Sequence, residues 1–219
     1  MQNQPLLSDI IHFKANDKLF VAAGKDVRGI TTYSIGNYKD VEMLKLIKAQ
    51  FNENSDNAKY IKNVIVPKLY SEFKSSNIDV IVYPSSSSGL LAYFSKEVSK
   101  QLRVNSLIKD SFVKGLPSEI TIDSNGITLD IKTIKSLHNI IETAETNGYF
   151  ELKKVPVQFR SFFTGYVKLS HSTNNFVDKN VLVIDDVLTS GATLSEIYKI
   201  LSTNGAKSII GITLLKKKV

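Results

Sequence analysis

Apolar residues along this chain fall into short continuous runs that alternate with helical stripes. Lys18–Ala23 (KLFVAA) reads as a strand, and the following Gly24-Lys25-Asp26 as a turn. Asp40–Phe51 carries Val41, Leu44, Ile47 and Phe51 at helical spacing. A second helix is predicted over Asn57–Lys74, with Ile61, Ile65, Leu69 and Phe73 on one stripe. Pro67 lies inside it and removes a backbone donor, so a kink or break is expected there. Ile78–Tyr83 (IDVIVY) is a nearly unbroken apolar run, the pattern of a strand buried on both faces. A Pro84–Ser88 turn follows, then a helix over Gly89–Leu102 with Leu90, Phe94, Val98 and Leu102 aligned.

Further along, Val104–Val113 reads as a strand. Ile120–Asp123 and Ile127–Leu129 read as a hairpin around an Asn125-Gly126 turn. Asp130–Glu145 is predicted to be helical, and Phe150–Ser170 to be strands and loops. The last quarter is the plainest: a strand at Asn180–Ile184, a turn over Asp185–Thr193, a helix at Leu194–Thr203 ended by Asn204-Gly205, and a closing strand at Ser208–Leu215. Strand–helix–strand units in this order predict an α/β fold, a parallel sheet covered by helices. The expected organisation is one domain over residues 1–219, with an N-terminal β segment (about 1–32) and an inserted hairpin and helix (about 115–149).

Composition narrows the chemistry. The 219 residues include no cysteine, which removes disulfides, thiolate zinc sites and thiol nucleophiles, and fits a reducing, cytoplasmic setting. The start, MQNQPLLSDIIHF, has neither a basic segment nor a long apolar one, so no signal peptide, membrane span or membrane partner is expected. A net charge of +7 and a pI near 9.3 favour an anionic partner, although a Lys-rich compositional bias explains the charge equally well. Only Arg28, Arg103 and Arg160 are arginines. His12, His138 and His171 do not cluster and have no metal-ligand spacing, so no role is assigned to them.

The chemistry concentrates in Val181–Thr193, VLVIDDVLTSGAT. Two carboxylates stand at the carboxyl end of a buried strand, where parallel sheets bind ligands. A Thr/Ser/Gly turn then opens a helix whose free amides and dipole favour a phosphate. Thr189, Ser190 and Thr193 add hydroxyl donors, while Gly191 lets the backbone come close. Asp185 and Asp186 are acceptors suited to ribose hydroxyls and to an oxocarbenium-like transition state. An acid pair alone is common on solvated loops. The whole thirteen-residue string is what points to a ribose 5-phosphate cradle.

That string resembles the phosphoribosyl pyrophosphate (PRPP) signature of the type I phosphoribosyltransferases. The resemblance implies a Rossmann-like core with a small hood, Asp185 and Asp186 on the PRPP ribose, and Thr189, Ser190, Gly191, Ala192 and Thr193 on its 5-phosphate. It also implies Mg2+, bound largely through PRPP oxygens and water and otherwise through Asp185 or Asp186. In that family a loop after an earlier strand grips the pyrophosphate. Ser85, Ser86, Ser87, Ser88 and Gly89 stand at the matching place, and small hydroxyl residues before a helix form an anion nest on physical grounds as well. The competing reading is a flexible serine linker. The loop lacks the Lys or Arg of some members, so charge on the diphosphate must come from elsewhere. Lys109 and Lys114, placed like the basic strand end and mobile loop of orotate-type enzymes, are the candidates for this catalytic role. Arg160 is a further candidate for the pyrophosphate. It lies among Phe159, Phe162, Phe163 and Tyr166, aromatics that either stack a base or fill the core.

The layout is most similar to ComF-like phosphoribosyltransferases over residues 30–110 and 155–219, on the Tyr33–Gln50 stretch, RSFFTGYVKL and GAKSIIGITLLKK. The fold and the PRPP site are what this similarity implies. Three functions are in contention. The first is a glycosyltransferase of nucleotide metabolism, moving 5-phosphoribosyl from PRPP to a nitrogen acceptor such as a nucleobase. The second is a non-catalytic PRPP or nucleotide sensor, and the third a nucleic-acid-associated accessory protein. The intact DD-x-x-TSGAT loop argues against a protein that has lost the ligand. A homodimer and nucleic acid remain open as partners.

Overall fold

In the computed structural model, the described residues are 5–11, 21–22, 31–38, 41–86, 88–123, 127–170 and 175–217. The Asn125-Gly126 turn, Ser87, His12, His171 and most of the Lys18–Asp26 strand and turn lie outside them.

The expected α/β fold is present. Seven strands form one sheet: β1 (Val21–Ala22), β2 (Thr31–Tyr38), β3 (Val80–Pro84), β4 (Ser106–Lys114), β7 (Val167–Leu169), β8 (Asn180–Leu188) and β9 (Ser208–Lys217). Their spatial order is β1-β2-β9-β8-β3-β4-β7. The five inner strands are parallel, and β1 and β7 are antiparallel edges. β8 and β3 lie side by side, with Val181 opposite Val80 and Val183 opposite Val82.

Pleating sends alternate residues to opposite faces. Ile81, Tyr83, Leu182, Ile184 and Ile212 pack on one side with Leu44 and Ile47 of α1 (Val41–Gln50) and Leu90 and Phe94 of α4 (Gly89–Leu102). α2 (Asp56–Tyr60) and α3 (Val66–Phe73) complete that layer. Val80, Val82, Val181 and Val183 pack on the other side with Leu194, Ile197 and Leu201 of α6 (Ala192–Thr203). With both faces covered, Val181–Ile184 are buried throughout, which explains the unbroken apolar run.

The α-helix is interrupted just before Pro67, where a kink or break is expected. A π-helical turn over Ile61–Ile65 links α2 to α3, and Val66 N–H donates to the Ile61 carbonyl. The wider turn absorbs the missing proline donor, and α3 restarts with Pro67 in its first turn, where no N–H is needed.

The turn expected at Asn125-Gly126 lies outside the described residues, but its two arms do not pair as expected. β5 (Thr121–Ile122) pairs instead with β6 (Phe163–Thr164), Ile122 opposite Phe163, and Ile127–Leu129 are in no strand. Tertiary burial decides this. β5, β6 and α5 (Ile131–Asn147) enclose their own apolar cluster of Ile120, Leu137, Ala144, Phe150, Val155, Phe162, Phe163 and Tyr166. This hood therefore draws on residues beyond 149 for its core. α5 begins with Asp130, whose carboxylate accepts Thr133 N–H at 2.8 Å, and ends at Gly148 with φ 74°.

The hood meets the sheet where two glycine backbones cross. Gly115 N–H donates to the Tyr166 carbonyl at 2.9 Å, and a Cβ on Gly115 would overlap the Gly165 carbonyl oxygen. Gly165 has φ 80°, and a Cβ there would overlap the Glu119 carbonyl oxygen. Only glycine fits either position. Glu196 of α6 accepts Gly165 N–H at 2.7 Å, and Lys168 pairs with Glu119 across the same junction.

Candidate functional site

The strand that carries the acid pair runs further than its apolar run. β8 continues through Asp185 and Asp186 to Leu188, because Asp185 and Leu188 stay in register with Thr213 and Lys216 of β9. The turn expected over Asp185–Thr193 therefore begins only at Thr189. Gly191 adopts φ 74° as the residue before α6, a conformation that favours glycine. Ser190 Oγ accepts Ala192 N–H at 3.4 Å, a long and weak bond.

The two aspartates differ. Asp185 has its carboxyl pushed up to about 7, first by burial and second by the negative charge of Asp186. The Asp186 N–H, donating to Asp185 Oδ1 at 2.8 Å, and the Lys48 charge oppose that shift. Asp186 forms an ion pair with the Lys48 ammonium. Continuing the pleat from Leu182 and Ile184 puts Asp186 on the face that α1 covers, which is why a lysine of α1 reaches it.

The serine loop leaves β3 next to β8. Some of its polar groups already have partners. Ser85 N–H donates to the Phe112 carbonyl at 2.9 Å, and Ser88 N–H to Ser86 Oγ at 3.2 Å. Ser88 caps α4 by accepting Leu90 N–H at 3.2 Å, and its own hydroxyl donates to the Lys48 carbonyl at 3.1 Å. Ser85 and Ser88 are thus each held by named bonds. A Cβ at Gly89 would meet only the Phe51 ring at 3.7 Å, so close packing does not require glycine there.

β4 bulges beside this loop. Val82 pairs with Ile108 but Pro84 with Phe112, and Asp110 inside the bulge has φ 48°. Burial, and then the charge of Asp110, push the Tyr83 hydroxyl pKa up. Lys109, within the bulge, and Lys114, at the end of β4, are both exposed. Arg160 is engaged otherwise. Its Nε donates to the Val155 carbonyl at 2.9 Å and its Nη2 to the Lys153 carbonyl at 3.0 Å, so these bonds brace the hood. Phe162, Phe163 and Tyr166 are buried in the hood core rather than displayed for stacking. A separate cleft of about 670 Å³ opens in the hood between Ile120–Ile122, Ile127–Leu129 and the α5 residues Ile134, His138 and Ile141.

Among the described residues no group of three or more His, Cys, Asp or Glu side chains converges. Mg2+ nevertheless fits: it takes one or two carboxylates and completes its shell with phosphate oxygens and water. Asp186, which already carries a cation, supplies such a hard oxygen donor. Among the described residues no helix is long and apolar enough to cross a membrane.

The sequence reading missed Lys48. Helical spacing does carry a signal: Lys48 stands four residues after Leu44 and three before Phe51, inside the apolar stripe of α1, whereas Lys45, at the stripe's edge, pairs with Glu42 on the surface. It also missed Glu196, whose contact with the hood depends on a loop 31 residues earlier.

Among known proteins, a curated relative, the transcriptional regulator GfcR of Methanosphaera stadtmanae, is 40% identical over 50 residues. That match covers 23% of this chain and about a quarter of the relative's length. Among solved structures, a hypoxanthine phosphoribosyltransferase from Staphylococcus aureus aligns at 17% identity with a TM-score of 0.41, over 74% of this chain and 68% of that one. A purine phosphoribosyltransferase from Pyrococcus horikoshii aligns at 13% identity with a TM-score of 0.38, over 72% and 83%. The family model of the phosphoribosyl transferase domain matches residues 75–219, well over half of the sequence, and does not single out the ComF-like subtype. The chain belongs to the phosphoribosyl transferase domain family.

Proposed function

We propose that the protein transfers 5-phosphoribosyl from PRPP to a nitrogen acceptor, a nucleobase or a related compound, and releases pyrophosphate. One observation carries this reading. A serine loop and a Thr/Ser/Gly loop leave adjacent parallel strands, β3 and β8, at their carboxyl ends, and an acid pair stands at the end of β8.

Thr189–Thr193 would hold the 5-phosphate at the start of α6, and Ser85–Gly89 the diphosphate. Asp185 and Asp186 would hold the ribose hydroxyls. As the C1–oxygen bond to the diphosphate breaks, their charge stabilises the cationic ring while the acceptor nitrogen bonds to C1. Bound Mg2+ would neutralise charge on the departing diphosphate. Lys109 and Lys114 are exposed and stay available to the diphosphate, whereas Arg160 would first have to release two hood carbonyls. The net charge of +7 exceeds what one PRPP needs, and a salt-dependent gel shift with nonspecific DNA tests nucleic acid as a further partner.

The test is a melting curve with Mg2+ and PRPP, followed by pyrophosphate release across a panel of bases. PRPP should raise the Tm, and the Asp185→Asn/Asp186→Asn double variant should abolish the rise. No rise in the natural protein overturns the reading. A rise without pyrophosphate release from any base would make the protein a sensor, a role the uncharged serine loop also suits.

A further inference from the structure

We propose that Lys48 grips the diphosphate of the ligand: its ammonium, which pairs with Asp186, crosses to the diphosphate when the ligand binds. This rests on the phosphoribosyl reading above and names a residue which that reading does not contain.

The serine loop brings no cation, and two of its described amides already donate within the protein. A diphosphate gripped there needs a positive partner within reach. Lys48 is fastened to both ligand segments at once. Its carbonyl accepts the Ser88 hydroxyl, so its backbone lies against the serine loop, while its ammonium pairs with Asp186 at the end of β8. The side chain thus spans the space between the diphosphate loop and the acid pair. Leu44 and Ile47, both buried, hold the helix that presents it.

The pair is unlike the surface pairs around it. Lys48 and Asp186 side chains are 29% and 15% exposed, against 66% and 77% for Lys45 and Glu42 three residues earlier. Two adjacent carboxylates repel one another, and a lysine on one of them relieves this. A cation arriving with the ligand would take over that task and repel the ammonium. The diphosphate beside it then offers the nearest negative charge, and a flexible lysine stem can swing without moving α1.

Calorimetric titration of Lys48→Met and Lys48→Arg with three Mg2+-supplemented ligands tests this: PRPP, pyrophosphate, and ribose 5-phosphate, which lacks the diphosphate. Lys48→Met should bind PRPP and pyrophosphate at least tenfold more weakly and ribose 5-phosphate as well as before or better. Lys48→Arg should restore most of the loss. Unchanged affinity for all three overturns the proposal. So does an equal loss for all three, which would mark a structural brace, or an equal gain, which would mark a plug. Lys48→Gln repeats the comparison if Lys48→Met does not fold. If the natural protein binds none of the three ligands, the phosphoribosyl reading itself falls. If it binds all three and the variants do not discriminate, only the role of Lys48 falls.

Discussion

Lys48, in the last turn of α1, pairs with Asp186 at the end of β8, a residue 138 positions away in the sequence. The contact joins the helical layer to the ligand edge of the sheet, so changing either partner should be felt in both.

Asp186→Asn leaves a partly buried lysine without its carboxylate. A loss of about 1–2 kcal/mol is expected, between the values for exposed and buried pairs. Urea denaturation measures it. Adding Lys48→Met to Asp186→Asn should recover part of the loss, since the orphaned charge is then gone.

Asp185 makes the protein pH-sensitive with a definite sign. Its carboxyl is raised from 3.8 to about 7, so its contribution to stability is full below pH 3.8 and is lost as pH rises through about 7. The Tm of the ligand-free protein should therefore fall over that window from this group, and Asp185→Asn should flatten the profile. A ligand that needs the ionised carboxylate should bind more tightly as pH rises toward 7 and release protons. Titration in buffers of different ionisation enthalpy detects that release. A Tm profile that is the same in Asp185→Asn would refute the assignment.

The crossing of Gly115 and Gly165 should tolerate no side chain. Gly165→Ala adds both an overlap with the Glu119 carbonyl and a positive φ, and about 2–3 kcal/mol of destabilisation is expected. Gly148→Ala keeps a similar φ but meets nothing within 4 Å, so it should cost less, about 1 kcal/mol. Thermal melts of the two variants provide the comparison.

The hood has its own core, so damage to it should stay local. Phe163→Ala removes a side chain that is 1% exposed, and about 3–5 kcal/mol should be lost from that unit. Hydrogen exchange should rise in α5 and β6 while β8 and β9 stay protected. Equal loss of protection in β8 would show that the hood and sheet unfold as one.

Much of this architecture was legible in short-range pattern. The IDVIVY and NVLVI runs, the α4 boundaries at Gly89 and Leu102, and a helix starting at about Asp130 each follow from residues close in sequence. The failures are instructive in the same terms. Asn125-Gly126 carried a good local turn signal, yet Thr121–Ile122 gained more by pairing with Phe163–Thr164, since that closes the hood core. Asp185–Leu188 looked like turn because of its acids, but β9 runs alongside and keeps it extended.

The sequence by itself therefore determined the layered sheet, the acid pair at a strand end and the two loops that flank it, because periodicity and turn chemistry act over a few residues. Only the tertiary structure decided which charges meet. Lys48 lies within the apolar stripe of α1, but the acid it meets is 138 residues away, and Arg160 looks available in the chain although its donors are held by hood carbonyls. The reason is geometric: pleat direction, helix rotation and strand order set which side chains come within a few ångströms, and these belong to the assembled fold rather than to any local segment.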